Sequence, residues 1–131
     1  MIYVADTHAL IWALTRPRAL GKRAARVFRR AQRGLDEIHV SSLSIFEILQ
    51  LFERGRLKSP LDWRGWVEAL DQTPGLVVEP LTIEDVAYAR GLQALADPFD
   101  RLIVATAQRL DAPMVTKDEG IGESGFVEAL W

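Results

Sequence analysis

The chain has 131 residues, 49% of them hydrophobic and 26% charged, with a formal net charge of −2. Such a composition excludes the disordered and fibrous classes and leaves one ordinary globular domain over residues 1 to 131. With no cysteine, it can have neither a disulfide framework, a thiolate zinc site nor a cysteine nucleophile, which suits a reducing compartment. The longest charge-free stretches, Thr7 to Thr15 and Ile38 to Phe46, run nine residues each, about half of the ~18 that a spanning helix needs. Asp6 and His8 interrupt the first apolar run before it could serve as a leader. A cytoplasmic protein without membrane contact is expected.

Taken in chain order, Met1 to Ala5 reads as a strand ending at Asp6, and Thr7 to Leu14 follows helical spacing through Leu10, Ile11 and Leu14. Pro17 breaks that pattern, after which Ala24, Val27, Phe28 and Ala31 mark a second helix that stops at Gly34. Glu37 to Ser41 predicts a strand. Ser42 or Ser44 can cap the helix Ile45 to Phe52 that follows, and Asp62 can cap Trp63 to Leu70. The turn Pro74-Gly75 leads into a buried strand, Leu76 to Glu79, and Thr82 with Asp85 opens a helix running to about Leu95. Asp97-Pro98 begins another through Leu110, Met114 to Thr116 forms a strand, and Phe126 to Leu130 adds a last one. Strands separated by helices imply parallel pairing, hence an α/β sandwich with a central, mainly parallel sheet of four to five strands. In such a sheet the ligand crevice lies beyond the carboxyl ends of the strands.

Four acids stand where that crevice should be: Asp6 after the first strand, Glu47 on the helix after the second, Asp100 in the first turn of the late helix, and Asp118 after Met114 to Thr116. Gathered carboxylates repel one another unless a hard divalent cation neutralises them. Mg²⁺, or Mn²⁺, is the natural choice, with two histidines and no cysteine making zinc a poor one. Each acid also has a structural explanation. Asp6 could cap the first helix, Glu47 could close a reciprocal box with Ser44, and Asp118 could sit in a solvated turn before Gly120. In Asp97-Pro98-Phe99-Asp100, Asp97 fits the cap, whereas Asp100 lies beside the face of Ile103, Val104 and Ala107 and is the better metal candidate.

Charge is unevenly distributed: residues 1 to 67 carry 12 Lys/Arg and 6 Asp/Glu, and residues 68 to 131 carry 4 and 12. Lys22, Arg23, Arg26, Arg29, Arg30 and Arg33 lie opposite the apolar stripe of the second helix. They form either a solvated face or a contact for RNA phosphates, the latter marked by a steep salt dependence of binding. His8 and Lys117 are left without an assigned role, while the tryptophans read as core or interface residues rather than base-stacking platforms, with Trp63 and Trp66 expected to line a groove or a partner contact.

The phrases Asp6-Thr7-His8-Ala9-Leu10-Ile11-Trp12, Ser41-Ser42-Leu43-Ser44-Ile45-Phe46-Glu47-Ile48, Asp97-Pro98-Phe99-Asp100-Arg101-Leu102-Ile103-Val104-Ala105-Thr106-Ala107 and Val115-Thr116-Lys117-Asp118 together resemble the PIN-domain family, and within it VapC-type toxins. The resemblance spans nearly the whole chain in the family's order. It implies a PIN-like three-layer sandwich and a Mg²⁺- or Mn²⁺-dependent endoribonuclease whose acidic residues map onto Asp6, Glu47, Asp100 and Asp118. Asp6, Asp100 and Asp118 would hold the metal, and Thr7 and Thr116 would orient a carboxylate or a bound water. It further implies an RNA substrate, a cognate antitoxin and a homodimer. Where close relatives often carry a histidine and a basic residue before the late motif, this chain has Leu95-Ala96, a departure that bears on substrate preference. Receiver and Asp-x-Asp phosphatase chemistries lack their second acid, since Thr7 and His8 follow Asp6. A catalytically silent module that binds nucleic acid or an antitoxin is the remaining alternative.

Overall fold

The computed structural model describes residues 1–131. Five strands, β1 (Ile2–Ala5), β2 (Glu37–Ser41), β3 (Leu76–Glu79), β4 (Met114–Val115) and β5 (Ala129–Leu130), form one sheet in the order β3-β2-β1-β4-β5. Every neighbouring pair is parallel. Seven α-helices supply the crossovers: α1 (Thr7–Thr15), α2 (Lys22–Gln32), α3 (Ser42–Glu53), α4 (Trp63–Gln72), α5 (Ile83–Ala89), α6 (Pro98–Arg109) and α7 (Glu119–Ser124). The expected α/β sandwich is found, with all five strands parallel.

Alternation along the strands splits the core in two. Ala5, Ile38, Val40 and Val115 point to one side, where Leu10 of α1, Val27 and Phe28 of α2, Ile48 of α3 and Trp66 of α4 cover them. Val4 and Met114 point to the other, under Ile103, Val104 and Ala107 of α6, Ala89 of α5 and Ile121 of α7. Each such buried aliphatic side chain contributes roughly 1.5–3 kcal/mol by leaving water. The second face is interrupted at His39, the register neighbour of Val4. His39 Nδ1 meets Glu79 Oε1 at 2.7 Å, Arg109 donates to Glu79 at 3.0 Å and to Asp85 at 2.7 Å, and Asp85 closes a capping box with Thr82.

Several boundaries depart from the sequence expectation. Helix α5 ends at Ala89 rather than near Leu95, because the chain tightens into Gly91 N–H to Tyr88 and Leu92 N–H to Ala89 bonds that drop Leu92 into the core. Helix α3 is capped by Ser41, whose hydroxyl accepts from the Leu43 N–H at 3.1 Å, so neither Ser42 nor Ser44 is the cap. The strand Leu76–Glu79 is an edge strand and Val78 is 47% exposed, where full burial is the sequence expectation. Helix α7 was not expected, since two glycines in its six residues, Glu119–Ser124, mask the periodicity.

Candidate active site

All five strands end at one edge of the sheet, and there the chain opens a pocket of about 590 Å³ lined by Asp6, Thr7, Glu47, Asp100 and Asp118 together with His8, Trp12, Asp97, Lys117 and Glu119. The four acids singled out from sequence are therefore brought together from four chain segments. Asp6 leaves β1 in extended conformation and caps α1, its Oδ1 accepting from the Ala9 N–H at 2.8 Å. Thr116, just past β4, donates its hydroxyl to Asp6 Oδ2 and accepts from the Asp118 N–H at 3.0 Å. Thr7 is buried and donates to Glu47 Oε1 at 2.6 Å. Both threonines thus orient carboxylates.

The capping explanations resolve differently for each acid. Asp6 is a cap and a pocket residue at once. Asp118 caps α7, its Oδ1 accepting from the Ile121 N–H at 2.9 Å. Asp97 caps α6 by accepting from the Asp100 N–H at 3.0 Å, which leaves the Asp100 carboxylate free of that duty. Glu47 makes no box with Ser44, because Ser44 lies buried inside the helix.

None of the four acids is in an ion pair. Burial pushes Asp6 above the usual carboxylate range, against the lowering pull of its Thr116 and Ala9 hydrogen bonds. Asp100 is pushed up to about 6, first by burial and then by the charges of Asp97, Asp118, Glu47 and Asp6. This is the electrostatic signature of a site that favours a cation. Its donors are hard carboxylate oxygens, the set that Mg²⁺ and Mn²⁺ prefer. No three of these side chains converge closely enough to hold an ion as they stand, so the donor chemistry fits a divalent metal and ligation requires the carboxylates to close inward.

The five cations of α2, and Arg33 at its C-terminal cap, are not at this pocket. Lys22 and Arg29 line a groove with Leu14, Leu20 and Phe28, and Arg23, Arg26 and Arg30 line another with Tyr3 and Asp36. Arg30 is paired with Asp36 at 2.6 Å and Arg23 with Glu128 at 3.7 Å. Lys117, given no role from the sequence, does line the pocket, its Nζ 5.9 Å from the Trp12 ring centroid. Because β4 stops at Val115, two residues earlier, the direction of Lys117 is not governed by strand alternation.

Comparison with known proteins accords with this geometry. The PIN domain family model matches residues 3–126. Ribonuclease VapC22 of Mycobacterium tuberculosis is 30% identical over 113 residues, which cover 86% of this chain and 84% of that protein. The structure of VapBC2 from Rickettsia felis bound to a DNA fragment from its promoter superimposes with a TM-score of 0.74 at 14% identity, over 99% of this chain and 98% of that one. A toxin-antitoxin complex from Klebsiella pneumoniae gives 0.66 at 16% identity, over 98% and 96%. At these identities the two structures share the fold, while the sequence match reaches from Tyr3 through all four acids of the pocket. The chain belongs to the PIN domain family.

Proposed function

We propose that this protein is a metal-dependent endoribonuclease and the toxin of a type II toxin-antitoxin pair. What carries the proposal is the gathering of Asp6, Glu47, Asp100 and Asp118, from four separate elements and without an ion-pair partner, at the carboxyl edge of a parallel sheet. The name of the 30% identical relative, a ribonuclease, supports the activity. The toxin-antitoxin complex among the similar folds supports an antitoxin partner. No helix is long and apolar enough to cross a membrane.

Asp6, Asp100 and Asp118 would hold Mg²⁺ or Mn²⁺. When bound, such an ion supplies Lewis acidity toward the phosphate oxygens and a water of lowered pKa. The chain's own residues do the rest. Thr116 holds Asp6 Oδ2 and also accepts from the backbone N–H of Asp118 at the start of α7, while the Ala9 N–H holds Asp6 Oδ1, so the positions of these two acidic residues are coupled through one hydroxyl. Thr7 occupies Glu47 Oε1, which leaves Oε2 to accept a proton as water attacks phosphorus. The bond from phosphorus to the 3′-oxygen breaks, the 3′-oxygen takes a proton from solvent, and the products carry a 5′-phosphate and a 3′-hydroxyl. Two copies of the chain would form the working homodimer, and the cationic face of α2 would attract polyanions at long range.

The test is cleavage of total RNA by wild type and Asp6→Asn, with end mapping, in the presence and absence of chelator. Wild type alone cuts, only with metal, and leaves 5′-phosphates. A fully active Asp6→Asn protein, or activity indifferent to chelator, overturns the proposal. A silent binding module would in addition gain no stability from Mg²⁺ or Mn²⁺.

A further inference from the structure

The acidic pocket does not end at His8 and Trp12. These two side chains also form one wall of a neighbouring groove of about 310 Å³, whose other walls include Arg16 at the end of α1 and Arg56, Leu57 and Lys58 just after α3. No acid lines that groove, and none of its three cations is engaged in an ion pair. All three are exposed. On α2, by contrast, Arg23 and Arg30 already have carboxylate partners, and neither the five cations of that helix nor Arg33 at its cap reaches the pocket or this groove.

Charge therefore changes sign along a continuous depression: carboxylates at one end, Lys117 and Trp12 at the join, three unpaired cations beyond. A polynucleotide lying with one phosphodiester at the carboxylates is repelled there and needs its flanking phosphates held elsewhere. Trp12 adds a face on which a base can stack, since it is half-buried and braced edge-on by Trp131 at 5.4 Å. We infer that the groove of Arg16, Arg56 and Lys58 is the subsite for single-stranded RNA flanking the scissile bond, with Trp12 stacking a base between the cations and the acids. It is this groove, and not the outer face of α2, that positions the substrate. The inference rests on the ribonuclease function proposed for the acidic pocket.

The experiment measures binding of a mixed-sequence single-stranded RNA oligonucleotide to the Asp6→Asn protein, in Mg²⁺, across a series of salt concentrations. A triple substitution Arg16→Gln, Arg56→Gln, Lys58→Gln is compared with a control pair on α2, Arg26→Gln and Arg29→Gln, and a thermal melt checks that both remain folded. With three phosphate contacts removed, the log-log salt slope of the triple variant falls by about 2, at roughly 0.7 per contact, and its Kd rises at least about tenfold at low salt. The control pair, which acts only at long range, changes the slope by less than one contact's worth, under about 0.7. An unchanged slope in the triple variant, or loss of slope in the control instead, overturns the subsite and leaves the groove to a protein partner. Should wild type cut RNA while the triple variant binds normally, the subsite alone falls. Failure of wild type either to bind or to cut RNA overturns the ribonuclease proposal, and the subsite with it.

Discussion

Two groups of carboxylates in this fold experience opposite fates. Asp85 and Glu79, between the sheet and helices α5 and α6, are shared by the guanidinium of Arg109 at 2.7 and 3.0 Å, and Glu79 also meets His39. Burial alone would raise both, but the hydrogen bonds and charge of Arg109, with Thr82 for Asp85 and His39 for Glu79, hold them below the usual carboxylate range. At the carboxyl edge of the sheet, Asp6 is buried and Asp100 half-buried beside other acids with no cationic side chain paired to either, and both are pushed upward. The same functional group thus serves the fold where a counterion accompanies it and works against the fold where one is withheld. What is withheld by the chain is left for a ligand to supply.

The largest effect that tests this contrast is catalytic. Asp6→Asn keeps the volume and the capping oxygen but removes a charge, so RNA cleavage should fall by orders of magnitude while the unfolding midpoint stays close to wild type. The converse substitution, Arg109→Met, strands two carboxylates and should cost about 3–5 kcal/mol in urea unfolding, with activity per folded molecule retained. Addition of Mg²⁺ or Mn²⁺ should stabilise wild type by about 2.7 kcal/mol at a hundredfold excess over Kd. Asp100→Asn should lose that gain, yet be more stable than wild type in chelator because one like charge has gone. If Asp100→Asn is simply destabilised in both conditions, the acids of the pocket are structural and the contrast fails.

Acid titration gives a smaller effect. Depressed folded-state values at Asp85 and Glu79 mean that their contribution is complete above the unfolded carboxylate values near 4 and is lost as pH falls through the folded values. Unfolding free energy measured from neutral pH downward should therefore drop below about pH 4 in wild type, and drop less in Arg109→Met. The smallest expected change is at Thr7→Val, which removes the 2.6 Å bond to Glu47. Turnover should fall roughly fivefold with KM nearly constant, the rate equivalent of a ~1 kcal/mol hydrogen bond. An unchanged turnover would show that Glu47 needs no such orientation.

The pocket was legible in the sequence because its acids sit at local landmarks: Asp6 closes an apolar strand, and Asp100 lies one turn inside an Asp-Pro helix start whose cap, Asp97, is evident. The parallel sheet was equally legible from strands spaced by helical periodicity. The His39, Glu79, Arg109 and Asp85 network was not, because its hydrogen-bonded pairs are 24 to 40 residues apart and nothing in the local pattern joins them. Ser44 and Glu47 have the spacing of a capping box, yet Ser41 takes the cap and frees Glu47 for Thr7, a partner 40 residues away. Leu95 extends an apparent helical stripe that the chain abandons at Ala89, since tight turns bury Leu92 more directly. Arg16, Arg56 and Lys58 could not be grouped from sequence at all: their juxtaposition is a product of how α1 packs against the segment after α3.

The hydroxyl of Thr116 touches both Asp6 and the backbone of Asp118, across 110 residues of chain. Since β1 lies between β2 and β4, a ribosome-bound nascent chain can pair β1 with β2 long before β4 has been synthesised. The latch that holds Asp6 then has no Thr116 to close it. A chain that lacks the segment beyond β4, or has not yet docked it beside β1, accordingly leaves Asp6 Oδ2 without its hydroxyl donor, so the pocket is completed by nearly the last part of the sequence to be made.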